Sequence, residues 1–193
     1  MPGREGDVEE HIIKSLEEGG VFVDVDANVG YYTLLASKKV GPKDKVISIE
    51  PIPSTLKVLT RSISTNGLTN VMITPKASWN TSTKLHICIA RRWHGLASIF
   101  RVKEDGDEVI TVESIALDEV LDEHPNIKLM KVDVEGAEYQ VLEGARRTLK
   151  KTSHVIPEAS MNKRKIARLL EEMGFKVRIL RFMTYIIVCQ DHE

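Results

Sequence analysis

Short apolar runs alternate along the chain with longer stretches whose apolar residues recur at helical spacing. The short runs are residues 21–25, 45–50, 71–74, 127–134 and 154–159, and the helical stretches are 8–18, 31–40, 53–64, 137–149 and 162–173. Short, nearly all-apolar runs are typical of strands that are covered on both faces. This alternation of strands and helices predicts an α/β fold with a parallel sheet and right-handed crossovers.

Two segments depart from this pattern. Residues 84–90 and 109–114 alternate between apolar and polar positions on either side of a charged loop, which predicts a β-hairpin inserted at 83–113. We expect a short helix at 114–121 after it. Residues 175–180 and 184–189, joined by a tight link, predict a second hairpin.

The composition is that of an ordinary globular protein. The chain has 193 residues, of which 42% are apolar and 28% charged, so we expect a single domain over 1–193 with an N-terminal helix within 1–20. No apolar run is long enough to span a membrane, and residues 1–20 contain no apolar signal core. Cys88 and Cys189 lack CxxC spacing, which favours a reducing, cytoplasmic location. The formal net charge of −1 gives no strong argument for nucleic-acid binding.

Carboxylates stand where several predicted strands end. Asp24 and Asp26 end the first strand, Glu50 ends the second, and Asp133 and Glu135 end the fourth. The carboxyl ends of parallel strands share one edge of the sheet, so these side chains should converge. Burying carboxylates there costs free energy unless a partner is bound, so the sequence predicts a ligand site.

The spacing of Glu50 indicates what that ligand carries. Glu50 lies 20 residues after Gly30, a distance at which an acidic side chain accepts hydrogen bonds from a ribose diol. The alternative is a carboxylate favoured by the dipole of the helix after Pro53. The loop sequence DVDANVG lacks GxGxxG spacing, and carboxylates repel a pyrophosphate, which disfavours a nicotinamide cofactor. A nucleoside with positive charge at its other end, such as S-adenosyl-L-methionine, suits this site better.

Four segments resemble one family, the FkbM-type S-adenosylmethionine-dependent methyltransferases. They are VFVDVDANVGYYTLLA, VISIEPIP, NGLTNV and KVDVEGAEYQVLEGA, which occur in this order between Val21 and about Leu149. The resemblance implies the Rossmann-like, seven-stranded class I methyltransferase sheet, which is mostly parallel with an antiparallel C-terminal strand. The predicted terminal hairpin agrees with that fold.

The resemblance also implies roles for individual residues. The methionine half of the cofactor should meet Asp24, the Asn28–Val29–Gly30 turn and the start of the next helix at Tyr31, Tyr32 and Thr33. Glu50 should hold the ribose, Pro51 and Ile52 should pack near the adenine, and Ala77 and Ser78 should approach the adenine edge. Asp133 and Glu135 should face the transferring methyl group and the acceptor.

Asp26 is a departure from the family, which has glycine at that position. A carboxylate then stands where the backbone normally approaches the cofactor closely, in a turn that Asp tolerates better than most residues. We expect weakened cofactor binding, and replacing Asp26 by glycine should strengthen it. The non-enzymatic alternative is that Asp26 abolishes cofactor use and leaves a binding protein. The retained carboxylates argue against it, namely Asp24, Glu50, Asp133 and Glu135.

The expected reaction is O-methylation of a small hydroxyl-bearing acceptor. The hydroxyl must lose its proton during attack, and Asp133 and Glu135 are the candidate bases. The alternative for Glu135 and Glu138 is stabilisation of a helix N-terminus. Asp133 and Glu135 also suit Mg²⁺, but two carboxylates do not specify a metal, and none is predicted.

Two further segments leave other acceptors open. Basic residues are concentrated in the last third of the chain and would suit RNA phosphates: Arg146, Arg147, Lys150, Lys151, Lys163, Arg164, Lys165 and Arg168. The stretch Arg91–Arg92–Trp93–His94 suits a substrate lid or, more simply, a solvated hairpin turn. An RNA methyltransferase is therefore the main enzymatic alternative, although no RNA-binding module is recognisable.

Overall fold

The computed structural model describes most of the chain. The described residues are 5–16, 20–90, 97–100, 102–159, 161–179 and 186–190, and the side chains are described except those of 5–7, 179 and 186–190. Residues 91–94 of the predicted lid, the 181–183 link and the start of the last predicted strand at 184–185 lie outside these ranges.

The eleven strands belong to a large sheet and a smaller one. They are β1 Val21–Val25, β2 Val46–Ile49, β3 Val71–Thr74, β4 Ala77–Trp79, β5 Lys84–Ile89, β6 Ala97–Ser98, β7 Glu108–Ala116, β8 Ile127–Val132, β9 Thr152–Pro157, β10 Phe175–Ile179 and β11 Ile186–Gln190 among the described residues. The large sheet has seven strands in the order β10-β11-β9-β8-β1-β2-β3. The strand β11 pairs antiparallel with both β9 and β10, while the pairs that join β9 to β3 are parallel. The predicted fold class is confirmed.

Seven helices pack on the large sheet or beside it in the described part of the chain. They are α1 Glu5–Ser15, α2 Tyr31–Val40, α3 Pro53–Thr65, α4 Leu117–Val120, α5 Glu138–Glu143, α6 Arg146–Leu149 and α7 Lys163–Glu172. One buried cluster joins α1 and α2 to the sheet through Val8, Ile12, Phe22 and Leu129. Another joins the sheet to α4, α5 and α7 through Val23, Leu117, Val141 and Leu170. The core therefore lies on both faces of the large sheet, which explains its nearly all-apolar strands.

The inserted strands extend beyond the predicted boundaries of 83–113. The antiparallel pairing of β5 with β7 is the predicted hairpin, but β4 also pairs, in parallel, with the end of β7, and the order is β4-β7-β5-β6. The expected helix at 114–121 is wrong in its first part, because β7 continues to Ala116. Ser114 holds that end of the strand by donating a hydrogen bond from its hydroxyl to the Thr81 carbonyl at 2.9 Å.

The helix predicted over 137–149 is interrupted. The first segment, α5, ends at Glu143, and α6 begins at Arg146. A Cβ at Gly144 would lie 2.3 Å from the Trp79 carbonyl oxygen, so the backbone of Gly144 packs directly on the loop after β4. The Asp118 carboxylate accepts hydrogen bonds from the Arg147 and Thr148 N–H groups at 3.0 and 2.7 Å, and so caps a new helix start. Tertiary contacts therefore override the helical pattern here.

None of the helices among the described residues is long and apolar enough to cross a bilayer.

Candidate active site

The loop between β1 and α2 has an unusual backbone. Asp26, Asn28 and Gly30 have φ angles of 62°, 51° and 95°, a region that costs roughly 1 kcal/mol for a residue with a Cβ. Gly30 has a second constraint, because a Cβ there would lie 2.5 Å from Leu59 Cδ1. Strained residues concentrated in one loop at the carboxyl end of a strand favour a functional role for that loop.

Asp24 lies beneath this loop rather than on its surface. It is 1% exposed, and its Oδ2 accepts a hydrogen bond of 2.7 Å from the Thr33 hydroxyl, which also lies 2.8 Å from the Ser48 hydroxyl. Burial raises the pKa of Asp24, while Lys131 and Thr33 lower it. The Oδ1 atom is buried without a hydrogen-bond partner in the described residues. Asp24 therefore joins β1, α2 and β2 below the ligand site.

Glu50 supports the same loop from the next strand. Its Oε2 accepts a hydrogen bond from the Asn28 N–H at 2.9 Å, and its Oε1 accepts one from the Ile52 N–H at 2.8 Å. The residue is 1% exposed, and burial raises its pKa to about 7 despite those two bonds. Each oxygen retains a second lone pair, so a ribose hydroxyl still finds an acceptor there.

The loop between β8 and α5 faces the β1–α2 loop. Glu135 and Gly136 have φ angles of 49° and 103°, so this second loop is also strained. The Glu135 carbonyl accepts a hydrogen bond of 2.8 Å from the Ser98 hydroxyl of β6, which ties the inserted sheet to the loop. The Gly136 N–H donates to Glu138 Oε1 at 2.9 Å. Burial raises the pKa of Glu138 to about 7.

An apolar cavity lies between the two sheets. Its walls come from the strand ends of the large sheet and from the inserted strands, namely Asp26, Ile49, Pro51, Ala77, Ser78, Trp79, Leu85, Ile87, Ala97, Ser98, Ile99, Val134 and Ala137. Ser78 is 7% exposed, and its Oγ has no hydrogen-bond partner among the described residues. An apolar slot with one unsatisfied hydroxyl fits a flat heterocycle with a polar edge, such as adenine.

A polar cavity adjoins it at Asp26, which lines both. The other lining residues are Ala27, Asn28, Val29, Tyr31, Tyr32, Lys131, Asp133 and Glu135. Burial, together with repulsion from Glu50, Asp133 and Glu135, raises the pKa of Asp26 well above its usual range. Burial and the nearby Asp133 and Glu158 also raise the pKa of Glu135. The carboxylates of this cavity suit a cationic ligand.

The structure brings most of the predicted site residues together. Asp26, Asn28, Tyr31, Pro51, Ala77, Ser78, Asp133 and Glu135 line one or both cavities, whereas Asp24, Gly30, Thr33 and Glu50 lie in the layer that supports them. The sequence analysis missed Lys131, which lines the polar cavity although it belongs to β8. A lysine between the apolar residues Met130 and Val132, two residues before Asp133, was the signal that could have revealed it. It also missed the inserted residues Trp79, Leu85 and Ile87, because strand pairing decides which residues face the cavity.

Six of the eight basic residues predicted as an RNA-binding set fall into two groups. Arg147 and Lys151 bind within the fold, to Asp118 and to the Leu121 carbonyl respectively. The other four line a surface groove, whose lining is Tyr139, Arg146, Arg164, Lys165, Arg168, Leu169 and Glu172.

In the described part of the chain, no group of three or more His, Cys, Asp or Glu side chains is arranged to hold a metal ion.

The strand order and the two loops at its centre define a class I methyltransferase fold. The family model of the methyltransferase FkbM domain matches residues 24–184, so the chain belongs to that family and to the methyltransferase class of enzymes. It is 28% identical over 181 residues to the hexuronic acid methyltransferase AglP of Haloferax volcanii, a match that covers 92% of this chain and 72% of that protein.

Two solved structures share the fold. The methyltransferase FkbM of Methylobacillus flagellatus superposes with a TM-score of 0.60 at 19% identity, covering 90% of this chain but only 44% of that one. A SAM-dependent O-methyltransferase of Thermotoga maritima superposes with a TM-score of 0.60 at 12% identity, covering 100% of this chain and 68% of that one.

Proposed function

We propose that the protein uses S-adenosylmethionine to methylate an oxygen of a small, hydroxyl-bearing acceptor. The observation that carries this proposal is the pair of adjoining cavities, one apolar with an unsatisfied Ser78 hydroxyl and the other acidic. A nucleoside with cationic groups at one end matches both in that order.

The residues present fit S-adenosylmethionine, which supplies a methyl group on a positively charged sulfur. The adenine would lie between Pro51, Ala77 and Ser78 in the apolar cavity. Glu50 would accept from the ribose hydroxyls at the lone pairs that Asn28 and Ile52 leave free. The amino-acid arm would lie in the polar cavity beside Asn28, Tyr31 and Asp133.

Asp133 and Glu135 are the groups that would remove the acceptor proton. Both line the polar cavity. The raised pKa of Glu135 makes its carboxylate a stronger base than an ordinary glutamate. Asp133 accepts a hydrogen bond of 3.1 Å from Lys131, which fixes its carboxylate. Holding the acceptor oxygen in line with the methyl group would supply much of the remaining rate enhancement.

A hexuronic acid, the acceptor in the name of the Haloferax relative, carries both hydroxyl groups and a carboxylate. A hydroxyl acceptor needs a base, whereas a carboxylate acceptor does not. We therefore propose testing sugars with and without a carboxylate. An ether product that resists alkali supports hydroxyl methylation, and an alkali-labile ester contradicts it.

The decisive experiment measures binding first and transfer second. Titration calorimetry with S-adenosylmethionine and S-adenosylhomocysteine should show binding, and methyl transfer to the sugar panel should be lost in Asp133→Asn and reduced in Glu135→Gln. Glu171→Gln, on the outer face of α7, is the control and should retain activity. Absence of binding, and of any thermal stabilisation at millimolar ligand, would instead support the non-catalytic binding protein.

RNA is the second candidate acceptor, and the groove between α5 and α7 is the observation that favours it. Arg146, Arg164, Lys165 and Arg168 line it, although Glu172 lies among them. Transfer to an RNA oligonucleotide that exceeds transfer to every sugar, and that falls steeply with added salt, would favour this candidate.

We also propose a cytoplasmic location. Cys88, a buried free thiol whose Sγ lies 3.7 Å from Asp107 Oδ2, is consistent with a reducing compartment. Growth of the source cells followed by fractionation and immunoblotting would test it.

A further inference from the structure

Lys131 is an unusual residue for its position. It lies in β8 between buried apolar neighbours, Met130 and Val132, and is itself 3% exposed. Taking an ammonium group out of water costs several kcal/mol unless other groups compensate it. A lysine in the centre of a sheet therefore needs partners that compensate the cost of burial, and its presence there favours a functional role.

The partners are carboxylates at the edge of the polar cavity. Lys131 Nζ lies 3.1 Å from Asp133 Oδ2, and Lys131 is the strand partner of Asp24 on β1. Burial opposes the charge of Lys131, but attraction to Asp133, Asp24 and Asp26 outweighs it and raises its pKa. The side chain is therefore a fixed ammonium group at neutral pH.

The ammonium group has donor capacity that these contacts do not use. It has three N–H donors, of which Asp133 takes one. Within the described ranges its other close contact is the ring of Tyr32, whose centroid lies 5.0 Å away. Tyr32 and Asp133 both line the polar cavity, and so does Lys131. At least one N–H group thus remains for a ligand in that cavity.

The charges of the cavity identify which part of the ligand this donor suits. Among the described residues that line it, Lys131 is the one that carries positive charge, and Asp133 and Glu135 are carboxylates. The amino-acid arm of S-adenosylmethionine carries an ammonium and a sulfonium group, which Asp133 and Glu135 attract. It also carries an α-carboxylate, which Asp133 and Glu135 repel. We propose that Lys131 binds the α-carboxylate of the amino-acid arm of S-adenosylmethionine. This inference rests on the proposed function.

Ligands that lack the carboxylate separate this role from a structural one. Titration calorimetry would compare wild type with Lys131→Met, which keeps an unbranched side chain of similar length and removes the ammonium group. The ligands are S-adenosylmethionine, S-adenosylhomocysteine, decarboxylated S-adenosylmethionine and methylthioadenosine, which lacks the whole amino-acid arm.

The expected result depends on the ligand. Lys131→Met should weaken the two ligands that carry the carboxylate by about tenfold to a hundredfold, the range of a lost charge-assisted hydrogen bond. It should change the affinities for the other two by less than about twofold. Lys128→Met, at the other end of the same strand, is the matched control and should bind all four like wild type.

Three outcomes are distinguishable. If Lys131→Met lowers the affinity for all four ligands equally, or for none of them, the inference is overturned. The proposed function still stands in that case, provided that wild type binds methylthioadenosine. If wild type binds neither S-adenosylmethionine nor methylthioadenosine, the proposed function itself fails. Should Lys131→Met not fold, the double variant Lys131→Met/Asp133→Asn removes both members of the ion pair, and the same contrast between ligands with and without the carboxylate decides the matter.

Discussion

Asp26 adds a side chain to the cofactor site without changing the conformation of the turn. Its φ of 62° is the conformation that glycine adopts without cost, so the turn keeps its shape with a side chain added. That side chain lies between the two cavities, where burial and neighbouring carboxylates raise its pKa well above its usual range. The raised pKa shifts this carboxyl group toward its protonated form, which occupies space and attracts a cation less than a carboxylate does.

We therefore predict that Asp26→Gly binds S-adenosylmethionine roughly tenfold more tightly, or about 1.4 kcal/mol. The variant should also be more stable by about 1 kcal/mol, because it relieves the backbone. Calorimetry and urea unfolding measure the two effects. Asn28→Gly, which relieves a φ of 51° in the same turn but removes no carboxylate, is the control for the backbone contribution. Weaker binding by Asp26→Gly would show that the carboxyl group assists the cofactor, and unchanged binding would show that it does not hinder it; either result contradicts the prediction.

Glu138 is buried to 0% exposure, and its Oε2 has no hydrogen-bond partner among the described residues. Its pKa is raised from 4.5 to about 7. Between these values the unfolded chain releases the proton while the folded protein keeps it, so stability falls as the pH rises through this window. Below the window the glutamate costs nothing, and above it the cost stays constant.

Glu138→Gln removes this titration while keeping an oxygen for the Gly136 N–H. Relative to wild type, the variant should gain about 3 kcal/mol of unfolding free energy between pH 4.5 and 8. Urea unfolding across that range measures the difference. Glu171→Gln, an exposed change on α7, should follow the wild-type curve. A Glu138→Gln curve parallel to wild type would mean that Glu138 does not titrate there.

At the residue scale, the sequence identified the carboxylates at the strand ends but did not show which of them line the cavities and which lie beneath the loops. Asp24 and Glu50 were predicted to touch the ligand, and the structure uses their oxygens first for Thr33, Asn28 and Ile52. Motif spacing places a residue at a strand end, yet it contains no information about which hydrogen bonds the loop above it requires.

At the scale of elements, the break between α5 and α6 depends on contacts from distant parts of the chain. The apolar pattern of residues 137–149 is continuous, so a helix through Gly144 was the natural prediction. The carbonyl of Trp79 and the carboxylate of Asp118 break it, and both lie far away in sequence. The 3.6-residue periodicity of apolar residues indicates which face of a helix is buried. It does not indicate where another part of the backbone packs against the helix and interrupts it.

Gly144→Ala tests the first of these contacts. Its Cβ would lie 2.3 Å from the Trp79 carbonyl oxygen and 2.8 Å from Asn80 Cα, which are backbone atoms that cannot rotate away. The variant should lose about 3 kcal/mol of unfolding free energy. Gly67→Ala, with a φ of 64° and no atom within 4 Å of its Cβ, should lose only about 1 kcal/mol. Equal losses in urea unfolding would mean that the loop after β4 yields to the methyl group.

Asp118→Ala tests the second contact. It removes the acceptor for two N–H groups at the start of α6, and a lost helix cap costs about 1–2 kcal/mol. Asp122→Ala is matched because Asp122 also lies near Arg147, at 3.9 Å, but its side chain is 73% exposed and caps nothing. That control should change stability by less than about 0.5 kcal/mol. Similar effects in the two variants would assign the role of Asp118 to its ion pair with Arg147.

For the whole molecule, the alternation of short apolar strands and helices predicted an α/β fold with a parallel sheet, and the family resemblance implied seven strands with an antiparallel C-terminal strand; the structure confirms both. The inserted sheet was predicted only in part. Its β4 is a three-residue strand without a pattern of its own, and its pairing with β7 is a long-range event. The prediction of a single domain depends on how firmly this insertion is joined to the rest.

Several contacts of the described residues join the two sheets. The Ser98 hydroxyl donates to the Glu135 carbonyl, Gly144 packs on the Trp79 carbonyl, and residues of both sheets line the apolar cavity. Since these contacts bury groups from both sheets, we expect the chain to unfold in one cooperative transition. A Trp93→Phe variant leaves Trp79, on β4, as the single tryptophan and thus as a fluorescence probe of the inserted sheet. Its thermal transition should coincide with that of far-UV circular dichroism, and S-adenosylmethionine should raise both by the same amount. Fluorescence that changes at a lower temperature, with ligand moving only that transition, would show that the inserted sheet unfolds separately and that the ligand stabilises it alone.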